Sequence, residues 1–429
     1  MEQAKSLDPK VAYGSVVGNR WIQLGMAVLG MVMIANCQYA WTLFVPPLRE
    51  AFGWSLGAVQ LGFTLFIAFE TYTMPVEGYL LDRFGPRALF TAAGIMVGIG
   101  WTALGYITSL PGLYFFYALA GTGAAIIYGG SIAMAIRWFK DKRGLAAGII
   151  AAGFGAGSAP FIPFIGWLLK AYGYQTAFIV TGIIQGIIIL VVSQLLKYPP
   201  GDTGSHAAAK NKADSSRGFN PFEMLRTGQF YLIYLMFCCM TTGGLLITAQ
   251  TKPYGKDIGI AAWVVIIAVT VDRISNGLGR IGWGGISDKF GRENTMAAVF
   301  IANGIFVALL PFLGTGNISF IVLLALIMFT WGPIFALFPS VTADRFGTTY
   351  AASNYGVVYT AKGFGGIMGG VVAGYLVTNF GWTTIFMSAG GFAVLAGLGA
   401  LVLKAIPKPV RIGFQDACPV CELPEQKTK

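Results

Sequence analysis

Read for its hydrophobic pattern, the chain breaks into twelve apolar stretches, each of about 20 residues or more and so long enough to cross a bilayer core as a helix. They cover residues 21–47, 54–80, 88–108, 112–136, 144–169, 174–196, 229–250, 260–283, 294–314, 317–341, 350–377 and 383–405. Strands are excluded, because an open strand would leave backbone groups unpaired in lipid. Several stretches exceed the minimum length, which predicts tilted or broken helices. Residues 197–228 are the only long polar interruption. There Pro199-Pro200-Gly201 ends the sixth stretch, Ala207 to Gly218 has a flexible-linker composition, and Asn220 to Arg226 reads as a short amphipathic helix on the inner surface. The pattern predicts an all-α polytopic membrane protein: an N-terminus (1–20), a six-helix half (21–196), a linker (197–228), a second half (229–405) and a tail (406–429).

Charge orients this layout. Lys5, Lys10, Arg20, Arg83, Arg87, the run Arg137-Lys140-Lys142-Arg143, the linker, Lys289, Arg292, Arg345, Lys404, Lys408 and Arg411 fall on one side. The other side carries Arg49, Lys170, Lys252 and Lys256. By the positive-inside rule both termini are cytoplasmic in a multi-pass membrane protein. The first stretch is too long for a signal peptide, so no cleavage is expected. Composition fits: 55% of residues are hydrophobic, 11% are charged, and the mean hydropathy is +0.68. The net charge of +11 sits in short loops rather than on a binding face, which argues against nucleic acid and leaves the bilayer as the large partner of a monomer.

Two decapeptides repeat across the halves. Gly78-Tyr79-Leu80-Leu81-Asp82-Arg83-Phe84-Gly85-Pro86-Arg87 closes the second stretch, and Gly284-Gly285-Ile286-Ser287-Asp288-Lys289-Phe290-Gly291-Arg292-Glu293 closes the eighth, 206 residues later. Each has Gly, three residues, Asp, a cation, an aromatic and Gly. The first Gly allows close helix packing, the Asp can pair with cations or helix-end amides, and the second Gly permits a turn. These runs resemble the loop signature of the major facilitator superfamily. The resemblance implies two pseudo-symmetric halves and a gate made by Asp82, Arg83, Arg87, Asp288, Lys289 and Arg292, with Glu77 beside it.

No enzyme motif is present. The Gly-rich runs at 153–157 and 363–370 lie inside apolar stretches and lack the strand and Lys-Ser/Thr of a phosphate loop. The lone histidine, His206, lies in the linker, so no His-based triad forms. Cys37, Cys238 and Cys239 read as packing residues, and Cys418-Pro419-Val420-Cys421 is either half a zinc site or part of a disordered tail. No cofactor or metal is expected.

The informative residues are the charges within apolar stretches, each costing about 2.5–3.5 kcal/mol on insertion scales. They are Glu70, Asp272, Arg273, Arg280 and Lys362. Arg273, Asn276, Gly277 and Arg280 share one helical stripe, and Arg280 sits about 12 Å inside the boundary marked by Asp288. Tyr355 and Tyr359 precede Lys362 on its face. Two buried cations without dedicated partners call for an anion; the other reading pairs them structurally with Glu70 or Asp272. Glu70 stands at the repeat position of Asn276, as a proton site or as an interhelical carboxyl. Asp272 is a partner for Arg273 or a second coupling candidate.

Further segments resemble the oxalate:formate antiporter family: Asn36 to Leu43, Arg137-Trp138-Phe139, Asp141 to Ala146, Glu223 to Thr227, Phe329 to Gly332, Ala336 to Ser340, and Asn354-Tyr355-Gly356 leading to Ala361-Lys362. In that family an Arg on the eighth helix and a Lys on the eleventh hold the two carboxylates of oxalate. The resemblance carries these roles to Arg280 and Lys362, and the pocket lining to Gln38, Tyr39, Tyr128 and Trp331. Tyr128, Trp331 and Tyr359 read equally as pocket wall or as packing. The chain departs from the family pattern at Phe154, Phe335 and Tyr359 and adds Glu70, Asp272 and Arg273. The resemblance implies a secondary transporter of the bacterial inner membrane, exchanging small carboxylates such as oxalate and formate by alternating access. The alternatives are a proton-coupled symporter of monocarboxylates such as lactate or pyruvate, and a transporter-like sensor without flux.

Overall fold

The computed structural model describes residues 19–159, 161–199, 218–368 and 373–409. His206, Cys418, Cys421, residues 207–217 and most of the N-terminal segment lie outside them. Among the described residues there are sixteen helices and no strand: α1 (Arg20–Tyr39), α2 (Trp41–Phe52), α3 (Leu56–Tyr72), α4 (Met74–Phe84), α5 (Pro86–Ala103), α6 (Leu110–Trp138), α7 (Arg143–Gly157), α8 (Phe161–Leu195), α9 (Pro221–Leu225), α10 (Gly228–Asp257), α11 (Ala262–Phe290), α12 (Arg292–Leu313), α13 (Asn317–Trp331), α14 (Ile334–Phe346), α15 (Ala351–Ile367) and α16 (Ala373–Ala405).

The helices follow the apolar stretches, with breaks where the chemistry demands them. The first stretch divides at Ala40 and the second at Thr73, the latter just before Pro75. Gly332 and Pro333 separate α13 from α14. α8 and α16 each turn at a glycine of positive φ, Gly173 and Gly381. Among the described residues, seven helical runs are long and apolar enough to cross a membrane, two of them (Arg143–Leu195 and Asn317–Phe346) continuing across a break between helices, compared with twelve apolar stretches in the sequence. The shortfall is physical: proline and glycine divide several crossings, and α11 carries Asp272, Arg273 and Arg280 midway along its length.

The repeated decapeptides form the same joint twice. Asp82 ends α4 and Gly85, at φ 84°, turns directly into α5; Asp288 ends α11 and Gly291, at φ 88°, turns directly into α12. Only glycine enters that region without steric cost. Equivalent packing follows, with α5 against α8 and α12 against α16.

Two further contacts join distant parts of the chain. α4 packs on α15, and α7 packs on α11. Both depend on glycine at the crossing, since a Cβ on Gly78 would lie 2.5 Å from the Ala352 carbonyl oxygen, and Gly148 and Gly144 face the Arg280 and Gly284 carbonyl oxygens still more closely. Helix axes meet this closely only where side chains are missing. The linker ends in α9, where Asn220 and Glu223 form a capping box. Phe219 is bonded to Phe346 and Asn354, so this segment is tied to the ends of α14 and α15.

Gly78→Val is therefore expected to force α4 from α15, costing about 1–3 kcal/mol. A lowered melting temperature of the detergent-solubilised protein would register it; an unchanged one would mean the crossing is not tight.

Candidate functional site

The broken and close-packed helices converge on one buried cavity of about 40 Å³, room for about three waters or one small ion. Gln38 and Tyr39 reach it from the end of α1, Tyr128 from α6, and Phe154 and Gly155 from α7. Leu245 and Thr248 come from α10, Arg273, Asn276 and Arg280 from α11, Trp331 and Phe335 from α13 and α14, and Tyr359 and Lys362 from α15. All eight residues expected to bind substrate (Arg280, Lys362, Gln38, Tyr39, Tyr128, Trp331, Tyr359 and Asn276) lie around this one space.

Arg280 is 2% exposed. Its Nε donates to Asn276 Oδ1 at 2.8 Å, one helical turn away, and its Nη1 donates to the Ala151 carbonyl of α7 at 2.8 Å. The guanidinium lies 4.5 Å from the centroid of the Phe335 ring. These partners are neutral. Among the described residues no carboxylate pairs with Arg280, and its Nη2 makes no hydrogen bond. Asn276 thus serves to aim Arg280.

Lys362 is different, and here the structure corrects the sequence reading of two partnerless cations. Its Nζ donates to both Glu70 oxygens, at 3.3 and 3.2 Å, and to Tyr359 Oη at 2.7 Å. Glu70 is fully buried, and the pair joins α3 to α15. Left without a counter-charge, an ion this deep is costly. Of the two coupling candidates, Glu70 is therefore the counter-ion of Lys362, and buried Asp272 lies 3.3 Å from Arg273 on the same helix. Arg273 also passes 5.8 Å from the Tyr39 ring and is the half-exposed cation of the cavity.

The aromatic walls are both pocket and packing. Trp331 donates its indole N–H to the Met240 carbonyl at 2.8 Å, which fixes its ring. Tyr128 packs against Phe154 and Tyr359, with centroids 5.1 and 5.0 Å apart. The cavity residues to which the sequence assigned no part are Gly155, Leu245 and Thr248, while Arg273, singled out as a buried charge on the Arg280 stripe, was not placed among the binding residues.

The gate residues meet at one end of the bundle. Asp82 receives Arg137 Nη2 at 2.8 Å, the Ser353 amide at 3.0 Å and the Ser353 hydroxyl. Asp288 receives the amides of Gly144 and Leu145, at 3.0 and 2.9 Å, at the positive end of the α7 dipole, and Arg292 pairs with it. Arg292 and Arg143 both reach Asp344. Each motif Asp thus caps a helix of the other repeat. Arg83, Arg87 and Lys289, expected as gate cations, are exposed and make no ion pair among the described residues. Their place is taken by Arg137, Arg143 and Asp344, because the residue after each motif Asp turns outward on the helix. Glu77 is buried nearby but does not line the cavity. Along α11 the order Arg273, Arg280, Asp288 sets the half-exposed arginine at the end of the cavity away from this latch.

Comparison with known proteins follows this geometry. Residues 26–370 match the Major Facilitator Superfamily model. The chain is 43% identical over 398 residues to the oxalate:formate antiporter of Oxalobacter formigenes, covering 92% of this chain and 94% of that protein. It is 27% identical over 340 residues to monocarboxylate transporter 13 of Bos taurus, covering 78% of each. In fold it is similar to the fucose:proton symporter FucP of E. coli, with a TM-score of 0.71 at 14% identity over 90% of this chain and 99% of that one.

The latch separates expectations that the two adjacent motif residues would otherwise share. Asp82→Ala should strand buried Arg137 and lower stability by about 3–5 kcal/mol, whereas Arg83→Ala should change it by less than about 0.5 kcal/mol. Thermal unfolding of the purified variants in detergent checks both; similar losses would place Arg83 in the latch.

Proposed function

The chain belongs to the major facilitator superfamily and, within it, to the oxalate:formate antiporter family, and on that premise we propose that it exchanges small carboxylates of the oxalate and formate type across the bacterial inner membrane. Both termini would be cytoplasmic, with two six-helix halves (21–196 and 229–405) rocking about the central cavity in a monomer. The observation that carries this reading is Arg280. A buried guanidinium with only neutral partners and an unused N–H edge on a cavity of small-anion size is an anion site in want of its anion.

Exchange follows from the same charge. The Arg280–Ala151 bond crosses the α7–α11 contact, and the latch at Asp288 and Gly144 lies along that contact. Parting these helices without an anion would leave the guanidinium short of an acceptor in a poorly hydrated cavity. A bound carboxylate supplies that acceptor in the intermediate state, so it lowers the barrier by differential stabilisation. In this arrangement the Asp82 and Asp288 networks shut the cytoplasmic end, and substrate enters past Arg273 from the opposite side.

A second reading, proton-coupled monocarboxylate symport, draws on the buried carboxylates Glu70 and Asp272, either of which would hold the coupled proton when its ion pair parts. Proteoliposomes separate the two. Exchange requires a counter-anion inside the vesicle, and a pH gradient alone leaves uptake unchanged; accumulation driven by that gradient into vesicles without counter-anion would establish symport instead.

Arg280→Lys is expected to reduce carboxylate exchange by about two orders of magnitude with the protein still inserted, because a single ammonium cannot serve Asn276, Ala151 and a carboxylate from one plane. Counterflow of labelled formate or oxalate measures this, and near-wild-type flux would remove Arg280 from the site.

A further inference from the structure

The cations and carboxylates at the cavity do not balance in the way a dianion would need. Arg273, Arg280 and Lys362 line it, and Asp272 and Glu70 pair with two of them. Three cations against two carboxylates leave one unit of positive charge, and the unpaired cation is Arg280.

The hydrogen bonds agree with this balance. Lys362 donates to both Glu70 oxygens and to Tyr359 Oη. Its charge is answered in full by Glu70, which is fully buried and held from another helix. Arg280, by contrast, keeps an unused edge. The cavity therefore offers one cation without a carboxylate of its own, flanked by the apolar rings of Phe154 and Phe335.

We propose that the site is built for a single negative charge: Glu70 acts as a tethered internal carboxylate that occupies Lys362, so a monocarboxylate is the matched substrate and a dicarboxylate the mismatched one. The inference rests on the carboxylate-exchange reading above and names the charge class that exchange selects. A dianion would bring a second carboxylate to within a few ångströms of Glu70 in a low-dielectric space, where the repulsion outweighs what a Lys362 already neutralised by Glu70 can return.

The test compares formate with oxalate counterflow in proteoliposomes of the full chain. The wild-type carrier is expected to favour formate. Glu70→Gln keeps the side-chain shape, frees Lys362 and should move the oxalate-to-formate ratio toward oxalate by about tenfold or more. An unchanged ratio overturns the proposal. A second pair of variants keeps it decidable should Glu70→Gln insert poorly. Lys362→Gln alone strands Glu70 and should abolish formate exchange, while Lys362→Gln combined with Glu70→Gln leaves Arg280 as the sole unpaired charge and should restore it. A double variant as inactive as Lys362→Gln would make Lys362 a direct ligand and sink the idea. Wild-type protein that exchanges neither anion would overturn the transport reading itself, a result distinct from exchange with the wrong preference.

Discussion

A buried charge in a membrane protein must be answered from within reach, and at Arg280 nothing in the fold answers it with a full negative charge. Every other deeply buried cation described in this bundle has a carboxylate: Arg137 has Asp82, Arg345 has Glu293, and Lys362 has Glu70. Arg280 has an amide oxygen, a carbonyl and an aromatic face. Such neutral dipoles hold the guanidinium in place and lessen its desolvation cost without cancelling its charge. The imbalance is confined to one residue, and that residue faces the cavity. The remaining architecture can be understood as keeping this charge dry, aimed and accessible from one end.

Backbone packing meets the same requirement. Gly148 faces the carbonyl of Arg280 itself, and Gly144 faces Gly284 on the same helix pair. This proximity brings the Ala151 carbonyl within reach of the guanidinium, and it sets the α7 amides against Asp288. On the other crossing, Gly78 brings α4 against α15, which places Asp82 at the Ser353 amide, and about one turn before Asp82's helix begins, α3 presents Glu70 to Lys362. Each crossing therefore has a glycine contact, a polar latch at one end and an electrostatic contact at the cavity.

Much of this was legible in the sequence, and the gaps have definite causes. Hydrophobic length gave the spans, because lipid enforces a helix wherever about twenty apolar residues run together. The decapeptide repeat gave the paired joints at Gly85 and Gly291, because glycine is chemically distinctive where φ is positive. Helical spacing brought Asn276 and Arg280 together, since i and i+4 always meet on a helix. What spacing cannot give is the rotation of one helix against another. Glu70 and Lys362 are 292 residues apart and meet only because α3 and α15 turn those faces inward. Of the expected gate, Asp82, Asp288 and Arg292 meet in the latch, but for the same reason its other cations do not: Arg83 and Lys289 follow the motif aspartates in sequence, yet they are exposed, and the aspartates find Arg137 and the α7 amides across the bundle. Leu245 and Thr248 carry no signal of their own, as an apolar or hydroxyl residue in a span looks the same beside a cavity as beside lipid.

The placement of the two cavity contacts bears on how motion would be coupled to binding. Arg280–Ala151 spans the α7–α11 crossing and Lys362–Glu70 spans the α3–α15 contact, so opening the end that now holds the latch strains both at once. The two are not equivalent under that strain. When the Lys362–Glu70 pair is stretched, each partner is left an uncompensated buried ion, a penalty the substrate cannot relieve while it is bound to Arg280 alone. When the Arg280–Ala151 bond is stretched, the guanidinium needs only another acceptor, which a carboxylate in the cavity provides. The crossing that substrate can ease is therefore α7–α11, and the α3–α15 side is better suited to remain the fulcrum. On the exchange reading, movement about that fulcrum would release Asp288 from the Gly144 and Leu145 amides before Asp82 leaves Ser353, and the order of latch opening would be set by which buried charge the substrate is able to satisfy.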